Sequence, residues 1–142
     1  MALKIIDHGT AEYLKMVKLR DDILRKPLGL CFSETELEQE KDHLLIAAYD
    51  DDLMLGCCML VETDSQTVRL RQMAVLNDLQ GKGIGKALMQ FAENLARDRG
   101  YRKITMHARK NAVGFYEKMG YDCMGTEFIE ITIPHYLMEK KL

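Results

Sequence analysis

The sequence predicts a mixed α/β fold: a largely antiparallel sheet of six or seven strands flanked by about four helices, with the fourth and fifth strands parallel around a crossover helix. Two observations predict it. Short apolar or alternating runs separated by polar turns recur through the first half of the chain, as in antiparallel hairpins. A glycine-rich loop and a long amphipathic helix then join two further strand-like runs, which is the pattern of a parallel strand–helix–strand unit.

The size and composition of the chain indicate one domain spanning residues 1–142. A chain of this length can bury a core without disulfides or a structural metal. Its net charge of −2 argues against nucleic acid or a membrane surface as a partner. The N-terminal residues lack the apolar region of a signal peptide, and no segment approaches the ~20 apolar residues of a membrane span. We therefore expect a cytoplasmic protein.

The cysteines carry no motif for metal or redox chemistry. They form no C-x-x-C pair, so the sequence predicts neither a zinc ribbon nor a thioredoxin-type site. We expect reduced cysteines that pack as small apolar side chains, and no bound metal. The four cysteines are Cys31, Cys57, Cys58 and Cys123.

The first half of the chain alternates between predicted strands and helices. Thr10 can cap a first helix that ends before Pro27. Ser33 and Glu36 have the spacing of a capping box, which predicts a second, acidic helix through about Lys41. The predicted strands of this half are Leu3–Ile6, Leu44–Tyr49, Leu53–Glu62 and Thr67–Val75.

The second half contains the clearest helix, from about Gly83 to Arg99, whose apolar residues recur at helical spacing. Gly100 is placed to end this helix. We expect a fifth strand over Arg102–Ala108 and a short helix over Asn111–Met119. The remainder, Tyr121–Leu142, predicts one or two final strands.

The fourth strand changes its alternation part-way along. Val68 and Leu70 are separated by an arginine, but the apolar positions then become Met73 and Val75, which shifts the parity by one residue. A β-bulge near Arg71–Met73 would absorb the extra residue. A strand end that is buried on both faces explains the same residues equally well, so both interpretations stay open.

The loop before the long helix carries three glycines within five residues of the segment Gln80–Ala87. Such a loop at a helix N-terminus exposes backbone N–H groups that suit a phosphate or a diphosphate. A Walker loop is disfavoured because Lys86 is followed by Ala87, which has no hydroxyl for magnesium. A dinucleotide fingerprint fails because neither Gly81 nor Gly83 has the third glycine at the required spacing. A purely structural turn is a further alternative.

The same loop fits the pattern Gln/Arg-x-x-Gly-x-Gly/Ala at Gln80, Gly83 and Gly85. Upstream lies the strand Arg71–Val75, and downstream lies the segment Asn111–Tyr121, with Asn and Phe-Tyr before a Gly-aromatic pair. With these segments in this order, the chain resembles the GNAT superfamily of acyl-CoA-dependent N-acetyltransferases. The resemblance covers roughly the central half of the chain well.

The resemblance implies a role for each matching position. Backbone amides of the loop would hold the diphosphate of acetyl-CoA, and backbone groups of the fourth strand would pair with its pantetheine arm. Amides freed at the suspected bulge could polarise the thioester carbonyl. Tyr116 would be the general acid that protonates the departing thiolate. The implied cofactor-binding residues are Met73, Ala74, Val75, Gln80, Gly81, Lys82, Gly83, Ile84, Gly85, Lys86, Asn111 and Phe115.

The resemblance does not identify the general base. Some family members carry a glutamate on the fourth strand, at the position where this chain has Arg69. His107 on the fifth strand, a water relay or an amine that arrives neutral could take over that role. A structural role is the alternative for His107, and also for His135.

The implied activity is transfer of an acetyl group from acetyl-CoA to a primary amine of a small molecule or a protein, by direct attack on the thioester. The missing glutamate favours an alternative from another class, a non-catalytic acyl-CoA-binding or sensing module. The acidic segment Glu34–Glu40 lies where the family varies its acceptor-binding wall, which would favour a cationic amine. An exposed final strand could also pair across a homodimer.

Overall fold

The computed structural model describes residues 1–142 and confirms the predicted fold class. One seven-stranded sheet has the order β1-β2-β3-β4-β5-β7-β6, in which β4 and β5 are parallel and every other neighbouring pair is antiparallel. The strands are β1 (Ala2–Ile6), β2 (Leu44–Asp50), β3 (Leu53–Asp64), β4 (Thr67–Val75), β5 (Lys103–Arg109), β6 (Asp122–Glu130) and β7 (Ile133–Lys141). The helices are α1 (Ala11–Arg20), α2 (Glu34–Glu38), α3 (Ile84–Asp98) and α4 (Val113–Lys118). No helix of the structure combines the length and the hydropathy needed to span a membrane.

The first helix begins as predicted and then changes its winding. Thr10 is its N-cap, and the Thr10 hydroxyl accepts a hydrogen bond of 3.2 Å from the Tyr13 amide. Beyond α1 the chain continues through a π-helical turn, Asp21–Arg25, and a 3-10 turn, Lys26–Leu28. Gly29 ends this run in the left-handed region at φ 72°.

The second helix has the predicted capping box but is shorter than predicted. Both hydrogen bonds of the box form between Ser33 and Glu36, and α2 then ends at Glu38. The residues that follow turn inward, where the Glu40 carboxylate binds the buried guanidinium of Arg20 through two hydrogen bonds of 2.7 and 2.6 Å. The cost of burying an unpaired arginine explains why this acidic residue leaves the helix for the core.

The change of alternation in β4 is a β-bulge, one of the two interpretations that the sequence left open. Along β3 the partners change from Cys57–Ala74 to Met59–Arg71, so β4 has one more residue than β3 across this interval. Gln72 lies inside the bulge with φ 58°. The extra residue keeps Met73 and Val75 on the same face of the sheet as Val68 and Leu70, and it turns Ala74 to the other face.

The core has two parts, one on each face of the sheet. On one face, α3 and α4 cover a cluster that includes Leu70, Leu88 and Met106. On the other face, α1 covers a smaller cluster that includes Met16, Leu45 and Met59, together with Ala74 from beyond the bulge. Together the two layers enclose β4 and β5, the strands that frame the site described next.

Candidate active site

A cleft opens where β4 and β5 separate. The two strands pair from Thr67 with Lys103 to Leu70 with Met106, and no pairing continues beyond these residues. Arg71–Val75 therefore keeps β3 on one side but has no strand on the other. The cleft between the strand ends has a volume of about 350 Å³. An unpaired inner edge of this kind can accept an extended ligand arm as if it were another strand.

The glycine-rich loop presents free amides at one end of this cleft. Gly81 and Gly83 have φ values of 81° and 87°, which favour glycine. Gly83 is the N-cap of α3, and no side chain caps the first amides of that helix. The Gln80 side-chain amide donates hydrogen bonds to the Val75 carbonyl at 3.1 Å and to Asn77 Oδ1 at 3.2 Å, which fixes the loop to the end of β4. This end of the cleft suits an anion such as a diphosphate.

Two other glycines bring neighbouring elements close together. A Cβ atom at Gly85 would lie 3.2 Å from Phe115 Cζ, so this glycine lets the Phe115 ring lie on the first turn of α3. A Cβ atom at Gly56 of β3 would lie 3.0 Å from the Ala74 carbonyl oxygen and 3.1 Å from a methyl group of Leu88. Gly56 therefore allows α3 to pack directly on the strands beside the cleft, a role that the sequence alone did not indicate.

Tyr116 lines the cleft from α4, and its role as the general acid stays a prediction. Its side chain is buried among the core residues, but its hydroxyl forms no hydrogen bond within the chain. Burial raises the pKa of the Tyr116 phenol above its ordinary value, and the nearby Cys58 thiol adds to the rise. The hydroxyl therefore stays protonated at neutral pH and can act as a proton donor.

His107 lines the same cleft from β5 and is bound to an acidic residue that sequence reasoning missed. Its Nδ1 atom lies 2.9 Å from Glu130 Oε1 and 2.8 Å from Arg69 Nη2. Burial raises the pKa of the Glu130 carboxyl, but the hydrogen bond from His107 and the charge of Arg69 outweigh it, so that pKa is lowered. Glu130 is therefore a carboxylate at neutral pH. His107 Nδ1 can either donate to Glu130, which leaves Nε2 with its lone pair, or accept from Arg69, which can only donate, and Nε2 then carries the proton.

A second histidine stands on the other side of Glu130. His135 Nδ1 lies 2.7 Å from the Ile133 carbonyl oxygen, which can only accept, so Nδ1 carries the proton. His135 Nε2 lies 3.8 Å from Glu130 Oε2, and the ring is 5% exposed. The tight turn that joins β6 to β7 places Ile131 at the cleft with φ 49°, and Thr132 follows with φ 62°. Both residues are β-branched, so this turn is strained.

The wall of the cleft is basic, which corrects the expectation of an acidic wall. Four arginines line it, whereas Glu130 is the one acidic residue among the lining residues. The acidic segment does not line the cleft. Glu40 pairs with Arg20 in the core, Glu34 and Glu38 lie at a separate surface depression, and Glu36 forms an ion pair with Arg25. The arginines of the cleft are Arg25, Arg69, Arg71 and Arg109.

The predicted site residues fall into three groups. Met73, His107 and Tyr116 line the cleft. The residues from Gln80 to Lys86 form the loop and the first turn of α3, where Phe115 packs, while Ala74 and Val75 continue the open edge of β4. Asn111 is exposed on a 3-10 turn and does not line the cleft. Among the lining residues that sequence reasoning missed are Leu24, Arg25, Arg109, Glu130 and Ile131.

Known proteins share both the sequence pattern and the fold. The family model described as "Acetyltransferase (GNAT) domain" matches residues 31–142. The uncharacterized N-acetyltransferase YjcF of Bacillus subtilis is 32% identical over 106 residues, which is 74% of each chain. A crystal structure of a protein from Lactobacillus plantarum has a TM-score of 0.87 at 24% identity, covering 100% of this chain and 99% of the other. A GNAT family acetyltransferase from Elizabethkingia anophelis, solved with acetyl-CoA bound, has a TM-score of 0.75 at 19% identity and covers 99% and 97%. The chain belongs to the GNAT family of acetyltransferases.

Proposed function

We propose that this domain, residues 1–142, transfers an acetyl group from acetyl-CoA to a primary amine by direct attack of the amine on the thioester. The observation that carries the proposal is the open edge of β4 beside the uncapped N-terminus of α3. Such an edge suits the pantetheine arm, and the free amides suit the diphosphate. The related protein with acetyl-CoA bound has the same fold, which supports this choice of acyl donor.

The proposed reaction begins with attack of the neutral amine on the thioester carbonyl. A C–N bond forms, and negative charge develops on the carbonyl oxygen, where an amide of the bulge around Gln72 would stabilise it. The C–S bond then breaks and releases coenzyme A as a thiolate. Tyr116 would protonate this thiolate, since its hydroxyl is free and lines the cleft.

His107 is the proposed general base. An amine must lose one proton before its attack and a second one when the amide forms. In the tautomer in which His107 Nδ1 donates to Glu130 at 2.9 Å, instead of accepting from Arg69, Nε2 is free to accept a proton. Arg69 stands where some family members place a glutamate, so the base of this chain would come from β5 instead of β4.

A non-catalytic acyl-CoA-binding module is the second candidate function. The observation that favours it is Arg69, which lines the cleft at the position of the missing glutamate. The free hydroxyl of Tyr116 argues against it, because a binding module has no use for a proton donor at the thioester.

Thiol release with a panel of amines separates the two functions. The purified chain is incubated with acetyl-CoA and each amine, free thiol is measured, and mass spectrometry of the product checks for an N-acetyl group. We expect amine-dependent thiol release and a matching N-acetyl product. Binding of acetyl-CoA by calorimetry without turnover of any amine would instead support the sensing module. Reactions without amine and with Tyr116→Phe serve as controls.

A further inference from the structure

The four cleft arginines, Arg25, Arg69, Arg71 and Arg109, lie on the face of the sheet opposite α3. On β4 and β5 the residues beside them, Leu70 and Ala108 among them, pack beneath α3. Because side chains alternate along a strand, the arginines point to the other face. Arg25 joins them from the π-helical turn, and Arg109 Nη2 binds this turn by donating a hydrogen bond of 3.2 Å to the Leu24 carbonyl.

Carboxylates of the chain neutralise these arginines only in part. Glu130 lies 3.7 Å from Arg69, and it is shared with two histidines. Arg25 pairs at 3.2 Å with Glu36, which does not line the cleft. Arg71 and Arg109, the other two cleft arginines, form no ion pair within the chain. The cleft therefore has an excess of positive charge on this side.

The guanidinium groups are close enough to disfavour one another's charge. The pKa of Arg69 is lowered by burial and then by the charge of Arg71. The pKa of Arg109 is lowered by burial and then by the charge of Arg25. Like charges in a partly dehydrated cleft raise the free energy of the empty site, and a bound anion would remove this cost.

The phosphates of the proposed cofactor are not the natural partners of these groups. The free amides for a diphosphate lie at the N-terminus of α3, on the opposite face of the sheet. Arg71 and Arg109 instead flank the point where β4 and β5 separate, which is where an acceptor must approach the thioester. The cleft is small for a ligand site, at about 350 Å³.

We infer that the acceptor is a small amine that also carries an anionic group, a carboxylate or a phosphate, and that the cleft arginines bind this group while the amine faces the thioester. The inference rests on the proposed function for the position of the acceptor. Planar guanidinium groups bind carboxylates and phosphates through paired hydrogen bonds, which gives both affinity and orientation. This acceptor class is the reverse of the cationic amine that the acidic segment suggested.

The first test compares amines that differ only in the anionic group. Suitable pairs are O-phosphoethanolamine with ethanolamine, and β-alanine with β-alaninamide. Rates of thiol release from acetyl-CoA are expressed per concentration of unprotonated amine, which removes the effect of amine basicity. We expect kcat/KM to be higher for the anionic member of at least one pair by about tenfold or more, since hydrogen bonds to charged groups contribute at this level. The two pairs also distinguish phosphate from carboxylate.

The second test asks whether the arginines cause the preference. Arg71→Gln and Arg109→Gln should each lower the ratio of kcat/KM between the two members of a pair about tenfold, mainly through KM for the anionic amine. Calorimetry should show unchanged affinity for acetyl-CoA. Arg99→Gln is the matched control, because Arg99 is exposed at the far end of α3 and should leave the ratio unchanged. A purely structural role would not move this ratio.

The outcomes separate this inference from the proposed function. Turnover of ethanolamine, β-alaninamide or spermidine at rates equal to the anionic amines would overturn the inference and leave the transferase activity standing. If no amine is acetylated, calorimetry of O-phosphoethanolamine and β-alanine on the protein loaded with coenzyme A decides. If either compound binds to the wild type and Arg71→Gln abolishes this binding, the result would support an anion site without catalysis. If neither compound binds, the inference is overturned.

Discussion

The β4–β5 cleft has two sides: a proposed cofactor side, formed by the glycine-rich loop before α3, and a proposed acceptor side, formed by the bulge of β4 and the turn between β6 and β7. Both sides contain residues with positive φ angles, but of different kinds. On the cofactor side, the positive φ angles belong to Gly81 and Gly83, which adopt them without strain. On the acceptor side they belong to Gln72, Ile131 and Thr132, which do not. The first side is a backbone cradle that needs little support, whereas the second is a set of side chains that the surrounding fold must hold in place. Cofactor binding should therefore tolerate changes of the fold that acceptor binding does not.

Tyr116→Phe removes the proposed proton donor from the cleft and should have the largest effect on turnover of all the substitutions considered. The ring is kept, so packing and acetyl-CoA affinity should survive, while loss of the proton donor should lower turnover by a factor of about 10² to 10⁴. Steady-state kinetics and calorimetry measure the two quantities. Unchanged turnover would remove Tyr116 from the mechanism, and a large loss of stability would show that the hydroxyl has a buried structural partner.

Glu40→Gln tests how much the buried ion pair between Glu40 and Arg20 contributes to the stability of the fold that holds the acceptor side in place. Without the carboxylate, the Arg20 charge is left unpaired in the core, which should cost about 3–5 kcal/mol of unfolding free energy. Glu38→Gln is the control, because Glu38 pairs with Lys41 at the surface and the change should leave stability nearly unaltered. Chemical denaturation measures both.

The same ion pair predicts a pH dependence of stability. Burial raises the pKa of the Glu40 carboxyl, but the hydrogen bonds and charge of Arg20 outweigh it, so the pKa is lowered in the folded state. The resulting stabilisation is present above the pKa of the unfolded chain, about 4.3, and is lost as the pH falls through the folded-state value. Stability curves of the wild type and Glu40→Gln should therefore converge towards low pH, and parallel curves would contradict this.

His107→Gln tests the proposed base and should lower turnover by about 10², the lower end of the range for a positioned base. Calorimetry should show an unchanged affinity for acetyl-CoA, because the proposed role of His107 is towards the amine. His8→Gln is a control outside the cleft. If His135→Gln lowers turnover by this factor and His107→Gln does not, the base is His135.

Gly83→Asp and Gly83→Asn together separate the effect of a negative charge from the effect of a side chain at the start of α3. An aspartate adds a negative charge where the diphosphate is expected, so acetyl-CoA should bind more than about tenfold more weakly. Gly83→Asn has nearly the same size and accepts the left-handed conformation, so it should retain most of the affinity. Equal affinities of the two variants in calorimetry would show that no phosphate lies at this position.

Thr132→Gly should have the smallest effect and tests the strain on the acceptor side. Glycine adopts φ 62° freely, whereas Thr132→Ala keeps the strain, so the glycine variant should be the more stable of the two by roughly 1 kcal/mol. Thr132 does not line the cleft, so thiol release should be unchanged. A glycine variant no more stable than the alanine variant would mean that the turn is not strained.

The cofactor side could be predicted from the sequence because it depends on local spacing. The glycines of Gln80–Lys86 and the change of alternation before Met73 are visible in short windows. The structure has the loop at the start of α3 and the bulge, which was one of two open interpretations, and the cofactor-binding roles stay predictions. The acceptor side could not be predicted, because Arg25, Arg109 and Glu130 are far apart in sequence and meet only through the tertiary fold. The alternation of arginines with Val68 and Leu70 is visible in the sequence, but it does not show which segments meet the arginines in the fold.

The early end of α2 has the same kind of cause. Its composition favours a longer helix, and the capping box sets its start locally. Its end is set by Arg20, a residue of another helix that draws Glu40 into the core. A long-range ion pair thus overrides local helix propensity at this point.

The open edge at Arg71–Val75 also has a consequence for aggregation of the protein. Unpaired strand edges are templates on which other chains can add, and they promote aggregation. Coenzyme A bound at this edge would protect the protein from aggregation, because it would cover the exposed backbone and stabilise the folded state by mass action. The newly synthesised chain would then be most vulnerable to aggregation when coenzyme A is scarce.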